Sequence, residues 1–410
     1  MLMSSMRIIQ SVFGVFHHFD LARQLEARGH LECVFSTWPH ARLDREGIPR
    51  SKVKTFPWIH TPEYLMRRYG MLPRWLDDQM GYANALAFDE FTLHNFKECD
   101  ALIAISGSSL KTGKMLQGRG GIFICDRGST HQRYQEQILL EEHQMWNVNL
   151  PVSDPRDTVR EEAIYAQADA IVVPSSFAAR SFEKMGVKQK VHTIPLGVRL
   201  DSFAPVSKPS KECFEVVFVG SVSLRKGVQY LVQAFANLRC ERKRLRIIGA
   251  MGREMREVLA RLPMNNVEVL GSLPQRRLSE IMSSSHVLVL PSIEDGFGLV
   301  IGQALASGCP VIASENTGGP DMINDGTEGF IVPIRNPEVL ADRLQCLADS
   351  PSLQASMREA GLARVSILGG WDSYGDKWEA LLLNITDSGR SKGSFSNPRR
   401  HEFMIKDGST

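Results

Sequence analysis

Residues 288–299 read Leu-Val-Leu-Pro-Ser-Ile-Glu-Asp-Gly-Phe-Gly-Leu, and the chain runs on through Gln303-Ala304-Leu305-Ala306-Ser307-Gly308-Cys309-Pro310-Val311-Ile312. Four consecutive apolar residues before Pro291 predict a short buried strand. A carboxylate-bearing, glycine-rich turn follows, then a helix ending at Gly308, then a second strand. Strand–turn–helix–strand in so few residues belongs to a parallel sheet with crossover helices. Gly296 and Gly298 expose backbone N–H groups where the helix starts, a place that binds phosphate or sugar oxygens. Asp295 stands just before that turn, placed to accept hydrogen bonds from sugar hydroxyls, and Gln303 is two helical turns further on, within reach of a ribose hydroxyl. The plainer alternative for Glu294 and Asp295 is helix capping.

The same alternation extends in both directions. Towards the C-terminus, strands are expected at residues 311–312 and 330–332, with Gly318 and Gly319 lining the crevice beyond the strand ends. Towards the N-terminus they are expected at 267–270, 245–248 and 214–219. The last of these leads into Phe218-Val219-Gly220-Ser221-Val222-Ser223-Leu224-Arg225-Lys226-Gly227, where Arg225 and Lys226 are positioned to neutralise a diphosphate. Residues 200–212, with Pro205, Pro209 and three serines, predict an interdomain linker. Before it lies a second series of strands, at 6–13, 31–37, 101–106, 121–125, 170–173 and 191–194. The fold class is α/β: one Rossmann-like domain over residues 1–199, another over 213–385 with its last helix able to cross back to the first, and a disordered tail over 387–410.

Composition narrows the function. A net charge of +2 lacks the basic footprint of a nucleic-acid-binding protein. The seven cysteines are scattered with no CxxC pair, which indicates reduced thiols and neither a disulfide framework nor a zinc site. The first ten residues lack the apolar core of a signal peptide, and no eighteen-residue apolar run predicts a membrane span. The expectation is a cytoplasmic protein that meets a membrane, if at all, from the inner surface. The segment Glu63-Tyr64-Leu65-Met66-Arg67-Arg68-Tyr69, with Leu72, Arg74 and Trp75 close by, mixes basic and aromatic residues. It is expected to be a solvated helix with its aromatics turned to the core, the alternative being a surface for lipid headgroups or a lipid-linked molecule.

Taken together, these motifs resemble the donor-binding domain of family 4 (group 1) glycosyltransferases, retaining enzymes of GT-B architecture, in which two Rossmann-like domains face a central cleft. The resemblance is most specific over residues 214–332 and includes Ile194-Pro195-Leu196-Gly197-Val198. It implies a nucleotide-sugar donor such as a UDP- or GDP-sugar, a glycan or lipid-linked acceptor, and no metal or other cofactor. Donor contacts would come from Gly220, Ser221, Glu294, Gly296, Phe297, Gly298, Leu299, Gln303, Gly318 and Gly319. The family has glutamates where this chain has Asp295 and Gln303, and an arginine where it has Ser221, while Lys226 matches the family lysine. The resemblance also implies a first-domain histidine near the donor sugar, for which His131 is the candidate beside Lys226, Arg225 and Asp295 as catalytic residues. Gly14, His17 and His18, in the loop after the first strand, are expected at the acceptor.

The implied reaction is a front-face transfer in which the departing phosphate takes the acceptor proton and positive side chains stabilise it. Two rivals share the architecture. A nucleotide-sugar epimerase would convert the free donor without an acceptor, and a non-catalytic nucleotide-sugar-binding partner, suggested by Ser221, Asp295 and Gln303, would bind without turnover.

Overall fold

The computed structural model describes residues 6–69, 71–149, 154–198 and 202–392. Two parallel sheets account for its organisation. The first is seven-stranded, in the order β3-β2-β1-β4-β5-β6-β7. Its strands are β1 Ile8–Val12, β2 Leu31–Ser36, β3 Val53–Thr55, β4 Ala101–Ile105, β5 Ile122–Asp126, β6 Ala170–Val173 and β7 Val191–Thr193. The second is six-stranded, in the order β10-β9-β8-β11-β12-β13. It comprises β8 Phe214–Val219, β9 Lys243–Ile248, β10 Val267–Gly271, β11 Val287–Leu290, β12 Val311–Ser314 and β13 Gly329–Val332. The central strands are buried on both faces, and β4 and β11 read as unbroken apolar runs rather than alternating ones, while β1 carries Gln10 and Ser11. In each sheet the chain order reverses beside the first strand, which opens a crevice at the carboxyl ends of the strands. The α/β, GT-B class read from the motifs is the observed architecture.

Several elements differ from expectation. Pro57, Pro62 and Pro73 suggested short irregular pieces, yet helices His60–Arg68 and Arg74–His94 occupy this region. Pro62 falls in a first turn, where no intrahelical N–H is lost, and Pro73 immediately precedes the second helix. The polar stretch after β5 contains a fourteen-residue helix, Gln132–Met145. The aromatics expected to face the core do not: Tyr64 is 43% exposed, Tyr69 69% and Trp75 69%. The expected tail is helical at its start, since helix Trp371–Lys392 runs past residue 387, and residues 393–410 lie outside those described. Residue 199 and, within the linker, 200–201 also lie outside them, while Ser207 is fixed to the second domain by Ser283 and Arg358.

Two features hold the domains together. Helix Trp371–Lys392 returns to the first domain, where Tyr374, Trp378 and Leu382 join the core built by Phe19, Leu21 and Leu25. Arg28 pairs with Asp376, and His30 lies 3.0 Å from Glu379. Helix Gln132–Met145, which belongs to the first domain in sequence, is anchored on the second. Its buried Glu142 accepts from Gln229 Nε2 at 2.7 Å and from Arg335 Nε at 2.7 Å. Beside this pair Trp146 packs edge-on against Tyr230.

Candidate active site

Backbone packing brings the two second-domain motifs together. Gly227 adopts a φ of +70°, and a Cβ there would lie 1.9 Å from the Pro291 carbonyl oxygen. Only glycine allows this approach. It draws the short 3-10 turn Leu224–Lys226 against the end of β11, so that the Arg225 carbonyl accepts from the Ile293 N–H at 2.9 Å. Two basic residues thereby face two acidic ones. Arg225 Nε lies 2.6 Å from Glu294 Oε2, and Lys226 pairs with Asp295.

The two pairs differ in access. Lys226 and Asp295 keep 14% and 13% of their side-chain surface exposed, whereas Glu294 keeps none. Glu294 was expected at the donor, and this expectation is corrected. Its carboxylate is consumed by Ser129 Oγ at 2.7 Å, Thr130 Oγ1 at 2.8 Å and Gln135 Nε2 at 2.8 Å, all from the first domain. Burial by itself would raise the Glu294 carboxyl. The Arg225 charge and the hydrogen bonds from Gln135, Ser129 and Thr130 outweigh that and hold it at about 2. Burial would likewise lower the Arg225 guanidinium, but Glu294 and Asp295 raise it.

The glycine-rich turn has a different use from the one expected. A Cβ on Gly296 would lie 2.3 Å from the Gly128 carbonyl oxygen of the first domain, and Ser175 Oγ donates to the Gly296 carbonyl at 2.6 Å. Gly296 is thus a point of interdomain contact. Phe297 is buried in the second core and does not face a ligand. The Gly318 N–H is spent on the Phe297 carbonyl at 2.8 Å and that of Gly319 on Thr317 Oγ1 at 2.9 Å, so both brace the turn. Gly298, at a φ of +78°, precedes helix Leu299–Ala306. Leu299 and Gln303 line an interdomain cavity of about 400 Å³ with Val198, Leu273, Gln275, Leu278 and Trp371, and Asp20 of the first domain stands among its walls. Gly220 ends β8, and Ser221 beyond it is exposed.

Across the cleft, the first sheet presents the loop after β1 and the end of β5. Gly14, at a φ of +74°, donates to Thr37 Oγ1 and accepts from Ser36 Oγ, which fixes the loop. His17 Nε2 and His18 Nε2 lie 3.1 and 3.2 Å from Asp126 Oδ2. Burial first, and the His17 charge second, push His18 down to about 3, so it is neutral. Asp126 is buried, which would raise it, but His17 and His18 hold it below the usual carboxylate range. The three ligating atoms lie within 4.8 Å of one another, and among the described residues this is the group able to hold a metal ion. His17 Cε1 would lie 3.0 Å from a Cβ on Gly128, so His17 stands just behind the Gly128–Gly296 contact.

His131, the expected catalytic histidine, does not reach the cleft. It is 1% exposed and packed between Tyr165 and Phe182, and burial lowers it to about 4. The polar face of this segment belongs to its neighbours. Arg127 donates to Ser106, Glu161, Gln132 and Gln135, joining β4, β5 and two helices at the sheet edge. Sequence reasoning passed over Ser129, Thr130 and Gln135. The signal was the fully buried Glu294 beside a partly accessible Asp295, visible only once the domains are docked.

Several known proteins resemble this chain in sequence or in fold. Residues 213–350 match the family described as "Glycosyl transferases group 1". The D-inositol 3-phosphate glycosyltransferase of Streptomyces avermitilis is 30% identical over 242 residues, 52% of this chain and 52% of that protein. The chain thus spans about half the length of the curated relatives it matches. Among solved structures, sucrose-phosphate synthase from Thermosynechococcus elongatus superposes with a TM-score of 0.68 at 20% identity, over 93% of this chain and 100% of that one. Anabaena HepE in complex with UDP and glucose superposes with a TM-score of 0.67 at 17% identity, over 92% of this chain and 100% of that one. At such identities these structures speak for the fold. Residues 213–350 thus carry the likeness to the group 1 glycosyltransferases, and the two-sheet GT-B architecture around them is shared with the solved structures.

Proposed function

We propose that the protein transfers a hexose-type sugar from a nucleotide diphosphate to a glycan or lipid-linked acceptor, with retention of configuration, in the synthesis of a surface polysaccharide or glycolipid. The observation that carries this reading is the Lys226–Asp295 pair, partly accessible just before helix Leu299–Ala306 and opposite the carboxyl edge of the first sheet. A diphosphate entering the cleft exchanges with Asp295 for the Lys226 ammonium, and Asp295 is then free to accept sugar hydroxyls. Leu299 and Gln303, in the adjoining cavity, are suited to the nucleoside of a UDP- or GDP-sugar. The bond between the anomeric carbon and the phosphate oxygen breaks. Lys226, with Arg225 behind it, offsets the charge on the departing oxygen. The acceptor hydroxyl attacks from the same face and its proton passes to that oxygen, with cationic side chains serving in place of a metal ion. The exposed Trp58, Tyr69 and Trp75 suit a peripheral contact with the inner face of a membrane. No described helix is long and apolar enough to cross one.

The test is incubation with UDP-, GDP- and ADP-sugars, with and without a glycan or glycolipid extract. Acceptor-dependent release of nucleoside diphosphate and an anomerically retained product are expected. Conversion of the free nucleotide sugar without acceptor would identify an epimerase instead, and binding without turnover a non-catalytic partner.

A further inference from the structure

Asp126 is the last residue of β5, and His17 and His18 open helix His17–Ala27, so their cluster pins the start of that helix to the carboxyl edge of the first sheet. The Asp126 carboxylate is buried, and its ion-pair partners among the described residues are the two imidazoles. Arg127, next in the chain, spends its guanidinium elsewhere, on Ser106, Glu161, Gln132 and Gln135. A buried carboxylate is ordinarily met by a full positive charge or by a metal ion. Neither a lysine nor an arginine supplies that charge to Asp126 among the described residues.

Hydrogen bonding accounts for only part of the geometry. His17 Nε2 is hydrogen-bonded to Asp126 Oδ2 at 3.1 Å. His18 Nε2 lies 3.2 Å from the same oxygen, yet neither nitrogen of His18 makes a hydrogen bond among the described residues. The His18 ring is near enough to bond and is not aligned to do so. Its nitrogen, the His17 nitrogen and the carboxylate oxygen converge as the ligands of one centre do. A tetrahedral ion about 2.0–2.2 Å from each ligand atom sets those atoms about 3.3 Å apart. The two separations from Asp126 Oδ2, 3.1 and 3.2 Å, are close to that spacing. All three ligand atoms lie within 4.8 Å of one another, so at most a ring rotation closes the remaining side.

We infer that His17, His18 and Asp126 form a binding site for one divalent ion of the zinc class, held by two imidazole nitrogens and one carboxylate oxygen. Two imidazoles and a carboxylate select zinc, cobalt and their neighbours, whereas magnesium and calcium take oxygen ligands. His17 is the partly exposed member of the three and stands beside Gly128. The ion enters from that side, and a water completes its coordination there. It clasps the first domain and takes no part in holding the diphosphate, so the site stands or falls apart from glycosyl transfer.

Isothermal titration of the full-length, untagged chain, stripped with EDTA and dialysed, tests the site without any nucleotide sugar. Zn²⁺ is expected to saturate a single site at micromolar concentration or below, and Mg²⁺ to bind at least about a hundredfold more weakly. Co²⁺ in the same site should give visible d–d absorption without a thiolate band in the near ultraviolet, which separates it from binding by the seven cysteines. His17→Ala, which removes the accessible ring, and Asp126→Asn, which keeps the side-chain shape, should each weaken Zn²⁺ binding at least about tenfold. The metal-free melting temperature of His17→Ala should stay near that of the parent. Zn²⁺ should raise the melting temperature of the parent and not that of His17→Ala, since an ion held only by the folded chain stabilises it. Undiminished Zn²⁺ binding in both variants or a thiolate band with Co²⁺ would overturn the inference. So would the lack of saturable Zn²⁺ binding below about millimolar concentration, which would leave a hydrogen-bonded His17–Asp126 pair beside a core histidine.

Discussion

Gly128 of the first domain and Gly296 of the second meet across the cleft, so closely that a Cβ on Gly296 would lie 2.3 Å from the Gly128 carbonyl oxygen. His17 stands behind one glycine and the Lys226–Asp295 pair beside the other. The approach of the two domains beside the Lys226–Asp295 pair depends on the absence of a side chain at Gly296. Gly296→Ala has no unfavourable φ to contend with, so its effect reports the approach alone. It should reduce transfer at least about tenfold, with destabilisation of about 1–3 kcal/mol from overpacking. Steady-state kinetics together with small-angle scattering would show it, and a variant with parental kinetics and parental dimensions would refute the contact.

Lys226→Ala should lower transfer by at least about tenfold, or about 1.4 kcal/mol of barrier, without unfolding the chain. Its partner Asp295 is partly exposed and can be hydrated once the ammonium is gone. Lys226→Arg should recover part of the activity, since the charge is kept while the point geometry is not. Equal rates for Lys226→Ala and the parent would remove the diphosphate site.

Glu294 makes a prediction about acid. Its carboxyl sits at about 2 in the folded chain against an ordinary 4.5. A lowered folded value contributes stability that is complete above the ordinary value and is lost as pH falls towards the folded one. The parent should therefore lose about 3 kcal/mol between pH 4.5 and 2 through this group, and Glu294→Gln should show a flatter profile there. At neutral pH the same variant should be less stable by about 1–3 kcal/mol, because the hydrogen bonds of the buried carboxylate are weakened while Arg225, with 35% of its side chain exposed, can be hydrated. Chemical denaturation across that range, followed for both proteins, would decide it. Parallel profiles would mean that Glu294 is not held by its first-domain partners in solution.

Trp58 and Trp75 are exposed on the first domain, the one just before helix His60–Arg68 and the other in the first turn of helix Arg74–His94. Replacing both by serine should leave the melting temperature within experimental error and reduce co-sedimentation with anionic vesicles severalfold. Vesicle binding that is undiminished in the double variant, or missing in the parent, would rule out this surface.

The second domain was more legible than the first, for a physical reason. Val287–Leu290 and Val311–Ser314 are buried on both faces, so their strands show as bare apolar runs, and Gly298 and Gly308 mark the two ends of the helix between them. Helix Gln132–Met145 lacked such a mark because two of its polar residues serve the interface: Glu142 and Gln135 are bonded to the second domain. Its pattern is that of an interface, which local periodicity does not separate from a surface. The candidate site shows the same division. The Lys226–Asp295 juxtaposition follows from two motifs at the ends of neighbouring strands and could be read in advance. The use of Glu294 as a tie, and the sequestering of His131 between Tyr165 and Phe182, depend on how the halves dock and pack.

The returning helix Trp371–Lys392 also sets an order of events at the ribosome. The first sheet is synthesised early, but Trp378 and Tyr374, two of its largest buried side chains, arrive only after the entire second half has been made. Until then Phe19, Leu21 and Leu25 have an incomplete cover, and the nascent chain carries an open apolar groove for the time needed to translate nearly two hundred further residues. That interval is when a holding chaperone would matter most, and a stop codon placed before residue 371 would release a chain whose amino-terminal half is the more aggregation-prone of the two.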